Sequence, residues 1–264
     1  MELFGSGHTR LGRRTGNEDS YLVDNDLEFY AVSDGMGGAA GGELASRIAV
    51  DAVASRLSNR EDDLVQLRAS EDADGVVQLL REAVLSACGF VHAKSQSDLS
   101  LIGMGATLTA VLRMGPKVVM AHVGDSRLYL ERGGEAFQIS QDHTFVAELI
   151  RAGAIKPSDV ATHPYRHVIT RALGTQEAVV VDTLVIDILP RDRLLLCTDG
   201  FSGYVEDSDW LAKQLAADEP DAVAEALCRF ADEVGGRDNI TVVVVAVGDE
   251  LKTDVSSDAG LALT

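Results

Sequence analysis

Basic residues are scarce in this 264-residue chain: 23 Lys and Arg stand against 42 Asp and Glu, a formal net charge of −19. Such a surface repels the phosphates of nucleic acids and of anionic lipids, so neither is an expected partner. Aromatic residues make up 5%, with a single Trp. Cys88, Cys197 and Cys228 are odd in number and widely separated, with no CxxC pair. That excludes a paired disulfide framework and suits buried, reduced thiols in a reducing compartment. The longest mainly apolar run, TVVVVAV near the end, falls far short of the roughly 20 residues that a membrane-spanning helix needs. The opening MELFGSGHTRLGRR lacks the basic-then-apolar order of a secretory signal. We therefore expect a soluble, cytoplasmic protein that inserts in no membrane and acts as a monomer.

What is present suits a globular fold. Hydrophobic residues make up 46% and charged residues 25% of the chain, enough to build a sizeable core. Apolar, β-rich runs occupy 20–24, 28–33, 106–112, 117–123, 127–130, 179–188, 193–197 and 240–247. Three segments show helical spacing instead. One face is marked by Ala45, Ile48, Ala49, Ala52, Val53 and Leu57, a second by Val76, Leu80, Ala83, Val84, Ala87 and Val91. The third carries Val223, Leu227, Phe230, Ala231 and Val234. Strands and helices come in blocks rather than in alternation, which favours an α+β fold with mainly antiparallel sheet. One domain is expected over residues 1–248, with a polar tail at 249–264. Residues 142–176, with Pro157 and Pro164, read as short helices and loop forming a flap. Asp62, Asp63, Glu71, Asp72 and Asp74 read as a solvated connection between helices.

The stretch FYAVSDGMGGAAGGELA, residues 29–45, ends an apolar run on Asp34 and a cluster of glycines. A phosphate-cradling loop would need a Lys followed by Ser or Thr after the glycines. Glu43 and Leu44 stand there, and the first lysine of the chain is Lys94. The glycine spacing does not match a dinucleotide fingerprint either. A second stretch, LLCTDGFSG, repeats the pattern of YAVSDGMGG: an apolar strand, a hydroxyl residue, then Asp-Gly. Asp34 and Asp199 are thus expected just past strand ends. Glu18 and Asp19 precede a strand, Asp238 precedes NITVVVV, and Asp125 is expected in a hairpin turn within HVGDSRLYL. Two carboxylates 4 Å apart repel by about 4 kcal/mol at an effective dielectric near 20. Acids gathered in this way call for cations. With only hard oxygen ligands and no Cys or His at metal spacing, Mg²⁺ or Mn²⁺ is favoured over Zn²⁺. His163 and His167, four apart, flank Pro164 in a loop and do not suit a zinc pair.

Taken together, RRTGNED, SDGMGG, GATLTAVL, HVGDSRLYL, DHT, TRALG, CTDGFSG and GGRDNITVVVV resemble, in order and spacing, the metal-dependent type 2C Ser/Thr protein phosphatases in their compact bacterial form. The resemblance covers residues 5–248. It implies a sandwich of two antiparallel β-sheets flanked by α-helices on both sides. It also implies two Mn²⁺ or Mg²⁺ ions and a third held more weakly. In that pattern Asp34 bridges two metals, the Gly35 carbonyl ligates one, and Asp199 and Asp238 complete the other. Glu18 and Asp19 hold metal-bound waters or ligate directly, and Asp125 anchors the third ion. Arg14 matches the phosphate-binding arginine, with Arg13 its off-register neighbour, and Asn239 supports the Asp238 loop.

The implied reaction is hydrolysis of phosphoserine and phosphothreonine in proteins, reversing Ser/Thr kinases, with a kinase expected among the substrates. A hydroxide bridging two metals would attack phosphorus in line with the leaving oxygen, so Asp34, Asp199 and Arg14 are the expected catalytic set. No phosphoenzyme is required, which leaves Ser33, Ser126 and Thr198 structural. Many eukaryotic members carry His after the first Asp-Gly as a proposed general acid; here Met36 stands in its place. A metal-bound water is then the first candidate proton donor, ahead of His143 and His163, each of which reads more readily as structural. Two other readings share the fold: a catalytically weak phosphoprotein-binding module, and a phosphatase for one dedicated regulator or a small phosphometabolite.

Overall fold

A computed structural model describes residues 1–205 and 207–249. Strands β1 (Leu3–Arg10), β11 (Ile240–Val247), β10 (Arg193–Cys197), β7 (Arg127–Arg132) and β8 (Glu135–Gln138) form one sheet in that order. The second runs β2 (Asp19–Asp24), β3 (Phe29–Met36), β5 (Leu108–Met114), β6 (Lys117–Val123) and β9 (Asp182–Asp187), with the two-residue β4 (Gly105–Ala106) beside the end of β3. Every pairing is antiparallel.

Side-chain alternation along these strands builds three apolar layers. Tyr30, Val32, Val111, Val118 and Met120 point inward and meet Leu128, Leu130, Leu194, Leu196, Val243 and Val245 of the facing sheet. Their neighbours Phe29, Ala31, Ala110, Leu112 and Val119 point outward, under helices α1 (Ala39–Ser58) and α3 (Ala73–Ser97). Leu195, Val242 and Val244 do the same under α6 (Ser208–Leu215) and α7 (Pro220–Val234). The result is the expected α-β-β-α sandwich. It also explains the VVVV run of β11: both faces of that strand are buried, so neither needs a polar residue.

The chain departs from expectation in four places. Strand β1 escapes an apolar pattern because Gly5 and Gly7 replace side chains where other rings press in. A Cβ at Gly5 would lie 2.4 Å from Tyr30 Cε1. The polar edge strand β8 is likewise unmarked. Asp62 and Asp63 do not sit in a loop: with Glu61 they open helix α2 (Glu61–Ala69), whose N-terminal dipole favours acids. Asp72 caps α3 by accepting the Gly75 N–H at 2.9 Å. Fourthly, β6 and β7 form no hairpin. They lie in different sheets, so the turn at 124–126 is a crossover between them. Helix α3 is long and apolar enough to cross a membrane by length and composition alone, but its apolar side packs on α1 and the second sheet. Residues 142–176 contain helix α4 (Phe145–Arg151) and a 3₁₀ turn at Pro157–Thr162. Beyond Asp249, the expected tail lies outside the described residues.

Gly5→Val should lower stability by about 1–3 kcal/mol, because Tyr30 is fully buried and cannot yield. Chemical denaturation will measure this, and an unchanged midpoint would contradict the packing described.

Candidate metal and phosphate site

Antiparallel pairing brings particular strand ends together. The start of β2 lies beside the end of β3, and Asp19 is the register partner of Asp34. The end of β10 adjoins the starts of β7 and β11. Asp19, Asp34, Asp125, Asp199 and Asp238 therefore each sit within two residues of a strand terminus at one end of the sandwich. Thr198 joins the two sheets there. Its Oγ1 donates to Asp19 Oδ2 at 2.8 Å and accepts the Thr241 N–H at 3.1 Å. Asp34 lies within β3, two residues before its end, rather than past it. Asp199 opens the short helix α5 (Asp199–Ser202).

Close backbone approach shapes the glycine-rich turn. A Cβ at Gly35 would lie 1.9 Å from the Gly42 carbonyl oxygen, and one at Gly42 would lie 1.8 Å from Glu18 Oε2. Glycine at both positions lets α1 start against β3 with the Glu18 carboxylate beside it. The Gly35 N–H donates to the Glu18 carbonyl at 3.0 Å. Asn239 ties the 11–18 loop to β11. Its Oδ1 accepts the Glu18 N–H at 2.8 Å, while its Nδ2 donates to the carbonyls of Leu11 at 2.9 Å and Gly16 at 3.0 Å. That places Arg14 Nη2 2.7 Å from Asp238 Oδ2, while Asp238 Oδ1 accepts the Asn239 N–H at 2.8 Å. Both Asp238 oxygens are thus engaged, each with a lone pair to spare. Arg14 leaves 52% of its side chain exposed, with donors free for an anion.

The electrostatics are those of acids crowded without compensation. Burial, aided by the Asp199 and Asp238 charges and opposed by hydrogen bonds from Thr241 and Thr198, pushes Asp19 up to about 7. Burial and then Asp199 push Asp125 up to about 8. Asp34 is raised well above the carboxylate range by burial and by the charges of Asp19, Asp199, Asp125 and Asp238. Asp199 is raised by burial and Asp238, and a hydrogen bond with Asp34 pulls the other way. Burial also raises Glu18. Asp125 Oδ1 and Asp199 Oδ1 are buried with no hydrogen-bond partner. Orphaned carboxylate oxygens in an all-oxygen donor set fit a hard divalent cation. Among the described residues, no three Asp, Glu, His or Cys side chains are gathered closely enough to hold an ion as they stand. Binding of an ion would therefore require the carboxylates to draw inward.

The hydroxyls around the site are structural. Ser33 Oγ donates to the Thr107 carbonyl at 2.6 Å, and Ser126 Oγ pairs with Thr107 Oγ1 at 2.7 Å. His143 is structural, as the favoured reading of the sequence has it, and not a proton donor to a leaving group: it is 1% exposed and bonded at both ring nitrogens. His163 instead packs near Phe145 and Tyr165. Its Nδ1 accepts the Tyr165 N–H at 3.2 Å.

Residues 5–241 match the family described as Protein phosphatase 2C. Over 237 residues the chain is 39% identical to the serine/threonine protein phosphatase PstP of Mycobacterium tuberculosis, covering 89% of this chain but 43% of that protein. The chain thus spans less than half the length of that relative. It is 35% identical over 244 residues to the serine/threonine phosphatase stp of Listeria welshimeri, covering 90% of this chain and 93% of that protein. A solved PstP catalytic domain in complex with two manganese ions superimposes with a TM-score of 0.77 at 35% identity, covering 94% of this chain and 99% of that one.

With Asp19 and Asp125 held above their unfolded pKa of about 4, the folded protein binds more protons than the unfolded chain between about pH 4 and pH 8. Without metal, its melting temperature should therefore fall as pH rises from 5 to 8. Added Mn²⁺ should raise it more at pH 8 than at pH 5. Calorimetry showing no pH trend would contradict the crowding described. The match over residues 5–241, on a fold whose strand ends gather these acids, makes the chain a member of the protein phosphatase 2C family of metal-dependent Ser/Thr phosphatases.

Proposed function

We propose that this chain is a divalent-metal-dependent phosphatase that hydrolyses phosphoserine and phosphothreonine in proteins. One observation carries the reading: five aspartates meet at one end of the sandwich, two of them with orphaned oxygens, beside a half-exposed arginine fork. Asp34, Asp199 and Asp238, with the Gly35 carbonyl, would hold two Mn²⁺ or Mg²⁺ ions. Glu18 and Asp19 would hold metal-bound waters or ligate directly, and Asp125 would hold a weaker third. Bound ions of this kind supply an acidified water and positive charge for the phosphoryl oxygens.

The chain's own residues perform the rest. Arg14 orients the phosphate with its planar donors, which match two phosphoryl oxygens at once. Asn239 keeps Arg14 and Glu18 facing Asp238 by tying their loop to β11. Thr198 steadies Asp19 across the two sheets. Met36 cannot donate a proton, and His143 is buried with both ring nitrogens bonded, so neither is placed to protonate the leaving oxygen.

The substrates are phosphorylated proteins, among them a Ser/Thr kinase whose action this enzyme reverses. The surrounding compartment is reducing and cytoplasmic, a reading supported by the three free, buried cysteines. The net charge of −19 opposes both self-association and nucleic-acid binding, which supports a monomer.

Purified protein with Mn²⁺ should hydrolyse a phosphothreonine peptide and lose that activity with chelator. Asp199→Asn should lower turnover by about 100-fold or more. Arg14→Ala should raise KM for the phosphopeptide by about tenfold, as expected for loss of a charged, forked contact. No hydrolysis with saturating Mn²⁺, or wild-type turnover in Asp199→Asn, would overturn the assignment.

A further inference from the structure

Large aliphatic side chains gain by leaving water, so a pair that the backbone holds in it needs a reason. Leu99, between α3 and β4, is 88% exposed, the most exposed large apolar side chain among the described residues. Ile102, three residues on, is 61% exposed. Leu99–Leu101 forms a 3₁₀ turn, in which residues three apart lie on one side. Asp98 pins its start: Oδ1 accepts the Ser100 N–H at 2.9 Å and the Ser100 hydroxyl at 2.7 Å. The Leu101 N–H donates to the Asp98 carbonyl at 2.9 Å, and the Met104 N–H to the Leu101 carbonyl at 3.0 Å. Leu101 and Met104 are buried in the layer under α1 and α3. Leu99 and Ile102 are left as a pair on the solvent side of a fixed turn.

That turn leads directly to the site. Gly105 and Ala106 of β4 pair with Met36 and Gly35 at the end of β3. Gly37 has φ +121°, and a Cβ there would lie 2.7 Å from Met104 Cα, so glycine lets the two turns close on one another. From Ile102 to Gly105 the chain spans at most about 11 Å, and paired strands set Cα atoms about 5 Å apart. Ile102 therefore lies within about 16 Å of Met36, the neighbour of the Gly35 carbonyl, and an extended chain covers that distance in about five residues. Charge narrows the occupant further. Asp98 is the only charged residue between positions 97 and 106, and Ser100 already engages its carboxylate. The pair is an apolar step on an acidic protein, suited to an apolar side chain.

We propose that Leu99 and Ile102 are specificity-determining residues. They receive an apolar side chain of the phosphoprotein substrate, about five residues or fewer from its phosphorylated Ser or Thr, while Arg14 holds the phosphate. A chain anchored by its phosphate at the site must leave across the surface beside it, and this turn offers that chain an apolar contact. The inference rests on the phosphatase reading and adds to it a preference for sequence around the phosphate.

The test moves a single Leu through each position flanking phosphothreonine in an otherwise polar peptide, and compares the wild type with the double variant Leu99→Ser/Ile102→Ser. Phe4→Ser is the control. Phe4 is 56% exposed on β1, near the end remote from Asp238. With Mn²⁺, at least one Leu position should raise kcat/KM about tenfold over the all-polar peptide, mainly through KM, the scale expected when one aliphatic side chain leaves water. The double variant should lose that gain and keep wild-type rates on the all-polar peptide and on p-nitrophenyl phosphate. Phe4→Ser should keep the gain. No gain at any Leu position, or a gain that survives in the double variant, would overturn the proposal. A wild-type dimer that the double variant dissolves would overturn it too, by giving the patch to a second copy of the chain. If neither p-nitrophenyl phosphate nor any peptide is hydrolysed, the phosphatase reading fails. Fluorescence anisotropy of the labelled Leu and all-polar peptides then decides the patch: tighter binding of the Leu peptide that the double variant abolishes supports it, and equal binding overturns it.

Discussion

Repulsion among carboxylates governs this structure. Asp19 and Asp34 face one another across a β-ladder, and Asp125, Asp199 and Asp238 approach from three other chain turns. Each pair of like charges at contact distance costs about 4 kcal/mol in a partly shielded setting. A fold could relieve that cost by turning the side chains out to water. Here the sandwich holds them in, and Asp125 and Asp199 keep buried oxygens with no partner. A divalent ion converts this repulsion into binding energy, so the surrounding architecture can be understood as what keeps the acids in place until an ion arrives.

Several devices do this, and they differ in kind. Glycines at 35 and 42 bring α1 against β3, where any side chain would collide. Thr198 clamps the two sheets through Asp19. Asn239 staples the loop of Arg14 and Glu18 to the start of β11. Arg14 itself neutralises Asp238, so the group that would receive phosphate also shields one of the acids. Under the proposed function, phosphate binding and metal binding would therefore draw on the same ion pair, and one would influence the other.

Much of this was legible in the sequence, for physical reasons. Strands buried on both faces read as apolar runs, their grouping pointed to an α+β fold with mainly antiparallel sheet, and the family resemblance implied the sandwich. The matched SDG and TDG turns exposed Asp34 and Asp199 because a strand ending in Asp-Gly is a local signal. Other features are non-local and left no such mark. Gly5 and Gly7 hide β1 because their role is to make room for Tyr30 and Tyr21, residues distant in sequence. The acids at 62 and 63 resemble a loop because a helix N-terminus favours the same residues. Asp125 was read into a hairpin because adjacent strands usually pair, whereas here the chain crosses between sheets. His143, read as structural ahead of a secondary choice for proton donor, is the buried partner of a glycine 19 residues away, a contact that spacing alone does not reveal.

The most direct test of the central claim is anomalous diffraction at the manganese edge from crystals grown with Mn²⁺. The account predicts strong peaks within about 2.0–2.6 Å of the Asp34, Asp199 and Asp238 oxygens, typical of hard-cation coordination, with a weaker peak beside Asp125. Manganese found elsewhere, or an aspartate cluster that stays splayed and metal-free at saturating Mn²⁺, would contradict it.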